Sequence, residues 1–286
     1  MTPRVDLAVA AVRRVAQKRL HEVTVLQSFA FDETHERLYA LQVRRGGGEE
    51  GHLCLNQLTL TGELLGHMHL RGFGHGVSMG VQNAADGTVW IWTEADAHGG
   101  YGQGVTRFRF ADGATRTGAD VALRKPIPGS LNNQPSVCMA SSRIAVRYRL
   151  KGVPRYRVWD LDAFVARSYG DPLADIAQPA AHPDPKIPFQ GYALHGDHIY
   201  QLAGTAYDST ANPAAKGGNA HVSCVDVTTG ELLQRTRTEA GRRLAFREPE
   251  GVAVRHRAGQ GVYLGFASGE AGARRFSLFA KPQRQS

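Results

Sequence analysis

The sequence predicts an all-β fold: a five-bladed β-propeller with four-stranded antiparallel blades and an N-terminal segment that closes the last blade. Three observations predict it. Five segments begin on a polar residue or polar pair and run on as strands: Gln27-Ser-Phe-Ala-Phe, His75-Gly-Val-Ser-Met, Gln134-Pro-Ser-Val-Cys, Gln190-Gly-Tyr-Ala-Leu and Glu250-Gly-Val-Ala-Val. They recur about every 50 to 60 residues, the range of repeat units such as propeller blades. Each is followed, past a turn rich in Gly, Asp or charge, by a second apolar run: Arg37-Leu-Tyr-Ala-Leu, Thr88-Val-Trp-Ile-Trp, Arg143-Ile-Ala-Val-Arg, His198-Ile-Tyr-Gln-Leu and Gly261-Val-Tyr-Leu-Gly. Val, Ile, Tyr and Trp bounded by turn residues mark hairpin strands. Such units cannot bury their own apolar faces and must stack on their neighbours.

Along the chain, the amphipathic stretch Val5 to Leu20 is the one helix candidate. The last blade runs out of sequence after Arg274 to Ala280, so part of Val12 to Leu20 is expected as its outer strand. Residues 1–21 are thus read as an N-terminal segment with a short helix and a closing strand, within one propeller domain spanning 1–286. Weaker third and fourth strands appear at Leu53 to Leu60 and Leu64 to Leu70, split by Thr61-Gly62. Glycine-rich loops are expected at Ala97 to Gly104 and Ala206 to Gly218. Asp171 to Pro188 carries five prolines, which cannot donate to a ladder, and reads as an extended inter-blade connection. At 286 residues the chain falls in the range of large single all-β domains.

Charge favours anionic partners: 34 Lys and Arg against 26 Asp and Glu leave +8. The pairs Arg13-Arg14, Arg44-Arg45, Arg242-Arg243 and Arg274-Arg275 are scattered and no nucleic-acid motif accompanies them, so nucleic acid is not an expected partner. Cys54, Cys138 and Cys224 lie far apart in apolar runs, which points to buried thiols and not to metal ligands. No membrane span or signal peptide is visible, so the chain is expected to be soluble and monomeric, cytoplasmic as given or secreted if it is a mature form. The sequence does not identify a cofactor and does not decide whether a metal ion sits in the channel.

Several runs resemble the family that joins phage receptor-binding proteins with teichoic acid biosynthesis protein C. They are Val25-Leu-Gln-Ser-Phe-Ala-Phe-Asp, Gly72-Phe-Gly-His-Gly-Val-Ser-Met-Gly-Val, Trp90-Ile-Trp-Thr-Glu, Phe189-Gln-Gly-Tyr-Ala, Arg247-Glu-Pro-Glu-Gly-Val-Ala-Val and Gly265-Phe-Ala-Ser-Gly. The resemblance covers roughly residues 20 to 280. It implies a five-bladed propeller and attachment to a cell-wall glycopolymer, and it supplies no catalytic residues.

If inner strands start, and their hairpin partners end, on one face of the ring, the polar residues there share one channel mouth. Gln27, His75, Glu94, Arg147, Tyr148, Gln190 and Glu250 are therefore the expected ligand-binding residues, for an anionic glycopolymer or a small polar ligand. Trp90, Trp92, Tyr101, Tyr148 and Tyr192 are available for stacking and Arg147 for phosphate. Glu94, after an apolar run, needs a partner, and Arg147 is the candidate. The alternative is an enzyme cleaving glycosidic or phosphodiester bonds, with Glu94 and Glu250 as paired carboxylates. No Ser-His-Asp motif, metal cluster or phosphate loop appears, which favours binding.

Overall fold

The computed structural model describes residues 3–208, 210–257 and 260–283. The first strand, β1 (Val12–Lys18), precedes blade one: β2 (Leu26–Asp32), β3 (Arg37–Val43), β4 (Leu53–Thr59) and β5 (Leu64–Leu70). Blade two holds β6 (Gly80–Asn83), β7 (Val89–His98) and β8 (Tyr101–Phe108), after which the two-residue β9 (Thr115–Arg116) pairs parallel to β5. Blade three is β10 (Leu131–Cys138), β11 (Arg143–Leu150), β12 (Val153–Asp160) and, after the short helix α1 (Leu161–Val165), β13 (Ala174–Ala177). Blade four is β14 (Phe189–His195), β15 (His198–Ala203), β16 (His221–Asp226) and β17 (Leu232–Arg237). Blade five is β18 (Glu248–Arg255), β19 (Gly261–Ser268), β20 (Arg275–Pro282) and, outermost, β1. The first strand of each blade, β2, β6, β10, β14 and β18, touches its equivalents in the neighbouring blades, which closes the ring.

Alternation along the strands turns apolar side chains to both faces of each blade, so the core is five layers between blades. Tyr200, Leu202, Val222 and Cys224 of blade four pack on Val252, Leu264, Phe266 and Phe279 of blade five. Blade five meets blade one through Ala253, Tyr263 and Leu278 against Phe29, Leu38 and Leu58. The three remaining layers join blades one and two, two and three, and three and four.

Five local expectations are corrected. Val5 to Leu20 forms no helix; β20 offers an unpaired edge, and the segment satisfies its backbone there by pairing Val12 with Ala280 and Lys18 with Phe276. Blade two has three strands plus a single bridge, Val105 to Arg124, because the chain after β8 goes back to the edge of blade one. Asp171 to Pro188 contains β13, the fourth strand of blade three, in the proline-free stretch between Pro172 and Pro179. Ala97 to Gly104 is a hairpin whose two-residue turn, Gly99-Gly100, has both φ values positive at 55° and 80°, as the strand twist requires. The inner strand of blade two starts at Gly80 and not at His75. Among the described residues no helix is long and apolar enough to cross a membrane.

Candidate functional site

In four of the five blades the polar residue that begins the repeat lies at or beside a β-bulge. Pairing with the second strand slips between Leu26 and Ser28, Leu131 and Gln134, Phe189 and Gly191, and Pro249 and Val252, so Gln27, Gln190 and Glu250 each sit where the inner strand bends. The bends pinch the channel. A Cβ on Gly191 would lie 3.0 Å from Gly251 Cα and 3.1 Å from Val77 O, and one on Gly251 would lie 2.8 Å from Ser28 Cα. Both glycines have positive φ, 142° and 77°, and both are needed for this close backbone approach. Ser78 adds a lock by donating its hydroxyl to Pro135 O at 2.7 Å.

On the near face, where inner strands start, Glu94 is fully buried and serves the backbone. One carboxylate oxygen accepts the amides of His75 (3.0 Å) and Gly76 (2.6 Å), and the other accepts Gly102 (2.6 Å). The His75 and Gly76 amides are thereby withdrawn from any ladder, and the chain from His75 to Met79 is not strand. Burial pushes the Glu94 carboxyl up to about 7, against the opposing pull of these amides.

Arg147 does not pair with Glu94. Its guanidinium donates to Gln178 Oε1 and Gln134 Oε1, both at 2.8 Å, and lies 4.2 Å above the Phe189 ring. It is 7% exposed and has no carboxylate within ion-pair distance among the described residues. Burial lowers its pKa, and the nearby ionisable groups include Tyr101. Tyr101 and His75 stack with ring centroids 5.0 Å apart at the tip of the β7–β8 hairpin, and burial holds His75 below the usual imidazole range.

Gln190 donates to Gly204 O at 2.9 Å and Gln27 contacts Leu26 O at 3.4 Å. Tyr148 is not on this face: one residue beyond Arg147, it turns into the layer between blades two and three and donates to Asp175 Oδ1 at 2.7 Å. Of the aromatic residues expected to stack on sugars, Trp92, Tyr148 and Tyr192 are buried, while Trp90 and Tyr101 keep part of their surface.

Glu250 is hydrogen-bonded to Glu248. Burial first, then the adjacent Glu248 carboxyl, holds Glu250 well above the ordinary carboxylate range. A carboxyl whose folded pKa is raised contributes stability that is complete at acid pH and is lost as pH rises through the folded value. The denaturant midpoint should fall from mildly acidic to mildly alkaline pH, and Glu250→Gln should flatten that fall, leaving the part due to Glu94. Equal slopes in the two proteins would remove the carboxyl pair as its source.

The central cavity, about 230 Å³, opens on the opposite face and is lined by the later halves of all five inner strands, including Phe31, Val81, Val137, Leu194 and Val254. None of the seven expected ligand residues lines it. Beside it, Cys138 Sγ lies 3.8 Å from His256 Nε2 and accepts the Gly196 amide at 3.4 Å, with His195 adjacent. Burial alone would raise this thiol, yet the adjacent His195 and His256 imidazoles bring it down to about 5, whereas burial pushes Cys54 and Cys224 up to about 12. Sequence reasoning treated all three cysteines alike. The available signal was the position of Cys138, His195 and His256 at equivalent ends of three successive inner strands.

A lateral groove runs between the N-terminal segment and the chain that links blades four and five. Its volume is about 660 Å³ and its lining includes Arg13, Arg237, Arg242, Arg243 and Glu239.

A closed ring with a borrowed outer strand and a channel pinched on one face defines a five-bladed β-propeller domain. The chain belongs to the phage 5-bladed β-propeller receptor binding platform domain family, whose sequence profile it matches over residues 25–280. It is 28% identical over 278 residues to a Bacillus subtilis (strain 168) protein named major teichoic acid biosynthesis protein C, an alignment covering 92% of this chain and 60% of that protein. The tail fiber of Staphylococcus aureus phage P68 has a similar fold, with a TM-score of 0.76 at 18% identity over 97% of this chain and 54% of the fiber. A GH43 β-1,3-galactosidase aligns with a TM-score of 0.52 at 10% identity over 94% of this chain and 60% of the enzyme. The chain thus spans a little over half of the relatives it resembles.

Proposed function

We propose that this propeller recognises an anionic cell-surface glycopolymer of teichoic-acid type, with Arg147 as the phosphate contact and the Tyr101–His75 stack as the platform for an adjoining sugar. The observation that carries the reading is Arg147 itself. A buried guanidinium with only neutral partners is costly, and an arriving anion relieves that cost. Guanidinium geometry suits a phosphate oxygen pair, and an aromatic face suits the apolar face of a sugar. Family membership and the teichoic acid name of the Bacillus relative support the class of ligand. For the hydrolytic alternative, Glu94 has both oxygens taken by backbone amides and Glu250 is bonded to Glu248.

The test is binding of the full chain to purified wall teichoic acid and to a neutral glycan. Affinity for the anionic polymer should exceed that for the neutral one and fall with added salt. Arg147→Gln should weaken it roughly 10- to 100-fold, the worth of a charged hydrogen bond, and His75→Ala should weaken it less. Unchanged affinity in a folded Arg147→Gln protein, with loss in an Arg242→Ala/Arg243→Ala protein, would move the site to the lateral groove and overturn this assignment. Release of products from either substrate would establish the hydrolytic reading instead.

A further inference from the structure

We propose that Cys138, His195 and His256 form a binding site for one zinc-class divalent cation at the far face of the ring, with its open coordination position directed to the central cavity. The three residues come from three successive blades: Cys138 ends β10, His195 ends β14 and His256 follows β18. Their ligand atoms all lie within 4.8 Å of one another. The Sγ to Nε2 separation of 3.8 Å is long for a hydrogen bond to sulfur. It is close to the roughly 3.6 Å that a tetrahedral zinc imposes, given Zn–S of about 2.3 Å and Zn–N of about 2.0 to 2.1 Å.

A second observation points the same way. His195 is 1% exposed, and among the described residues neither of its ring nitrogens has a hydrogen-bond partner. A buried polar ring left so is expensive, and coordination satisfies one of the two nitrogens. One thiolate and two imidazoles select zinc-like metals over magnesium or calcium, which prefer oxygen.

The surroundings support the geometry. His256 lines the cavity, so a fourth ligand or water reaches the metal from that side. Glu33 fixes the segment carrying His256 by accepting the backbone amides of His256 (2.7 Å) and Arg257 (2.8 Å). A metal here ties blades three, four and five together at the face opposite Arg147.

Chelator-treated full-length protein is titrated with Co²⁺ and then Zn²⁺. The proposal expects one equivalent of Co²⁺ with a thiolate-to-cobalt charge-transfer band, displaced by Zn²⁺, and a higher melting temperature with Zn²⁺. Cys138→Ser should abolish the band, and His195→Gln and His256→Gln should each lower affinity by at least about tenfold. His256 is only half-buried, so His256→Gln keeps the test available if the two buried positions do not tolerate change. Two other groups of ligand atoms lie on blade one and its approach, His21 with His67 and His69, and Glu22 with Cys54 and His69. The proposal is overturned if folded protein takes up no metal, if the band survives Cys138→Ser and disappears in Cys54→Ser, or if His67→Gln lowers affinity while His256→Gln does not.

Discussion

Removing residues 1–21 should convert a folded, closed ring into an aggregating, heat-labile protein. The segment is fastened at several independent points. β1 pairs along β20, Val15 and Leu20 join the layer between blades five and one, and Val5 and Leu7 are fully buried between blades four and five. Each such apolar side chain contributes about 1.5 to 3 kcal/mol, a large share of a typical net stability of about 5 to 15 kcal/mol. Polar ties add to this: Tyr200 accepts the Val5 amide at 2.8 Å, and the buried Lys281 ammonium donates to Leu7 O and Val9 O, both at 2.8 Å. Without the segment, β20 becomes an edge lined by Phe276, Leu278 and Phe279, a template for pairing with another chain. Size-exclusion elution and thermal unfolding measure the effect, and a synthetic peptide of residues 1–21 should restore both in part. Monomeric elution with an unchanged melting temperature would show that ring closure does not depend on β1.

The second large effect is expected at Glu94, and it is on stability. In Glu94→Gln one side-chain oxygen becomes an amide that faces a backbone N–H, setting donor against donor at His75 and Gly76 or at Gly102. An unsatisfied buried donor costs about 1 to 3 kcal/mol, so the melting temperature should fall on the order of 2 to 5 °C. Glu94→Ala leaves all three amides without acceptors and should cost more. The surrounding glycines are tied to the same carboxylate: a Cβ on Gly74 would overlap its carboxyl group, and one on Gly102 would lie 2.6 Å from its Cβ. Gly74→Ala should therefore reproduce much of the loss. A Glu94→Gln protein as stable as the parent would mean that the carboxylate does not hold these loops.

Much of the near face was legible and its chemistry was not. Gln27, Gln190 and Glu250 were recognisable as repeating positions, but a repeating polar residue has the same sequence whether it meets a ligand or fills a bulge. Glu94 was rightly singled out as a buried carboxylate in need of partners. Its partners are backbone amides, which no pattern of side chains reveals. Arg147 and Tyr148 are neighbours in sequence, and the period-two alternation of β11 sends one to the channel side and the other into the layer between blades.

Sequence alone determined the five repeats, the paired strands in each and the use of the N-terminal segment to complete blade five. These follow from local alternation, turn residues and the count of strands, all encoded within a few tens of residues. Tertiary structure alone decided that the channel closes at Gly191 and Gly251, that blade two has three strands, and that Cys138 meets His256 across 118 residues of chain. Each depends on where neighbouring blades stop when their layers are packed. Packing is set by the joint shape of many distant side chains, and no one segment of sequence carries that shape.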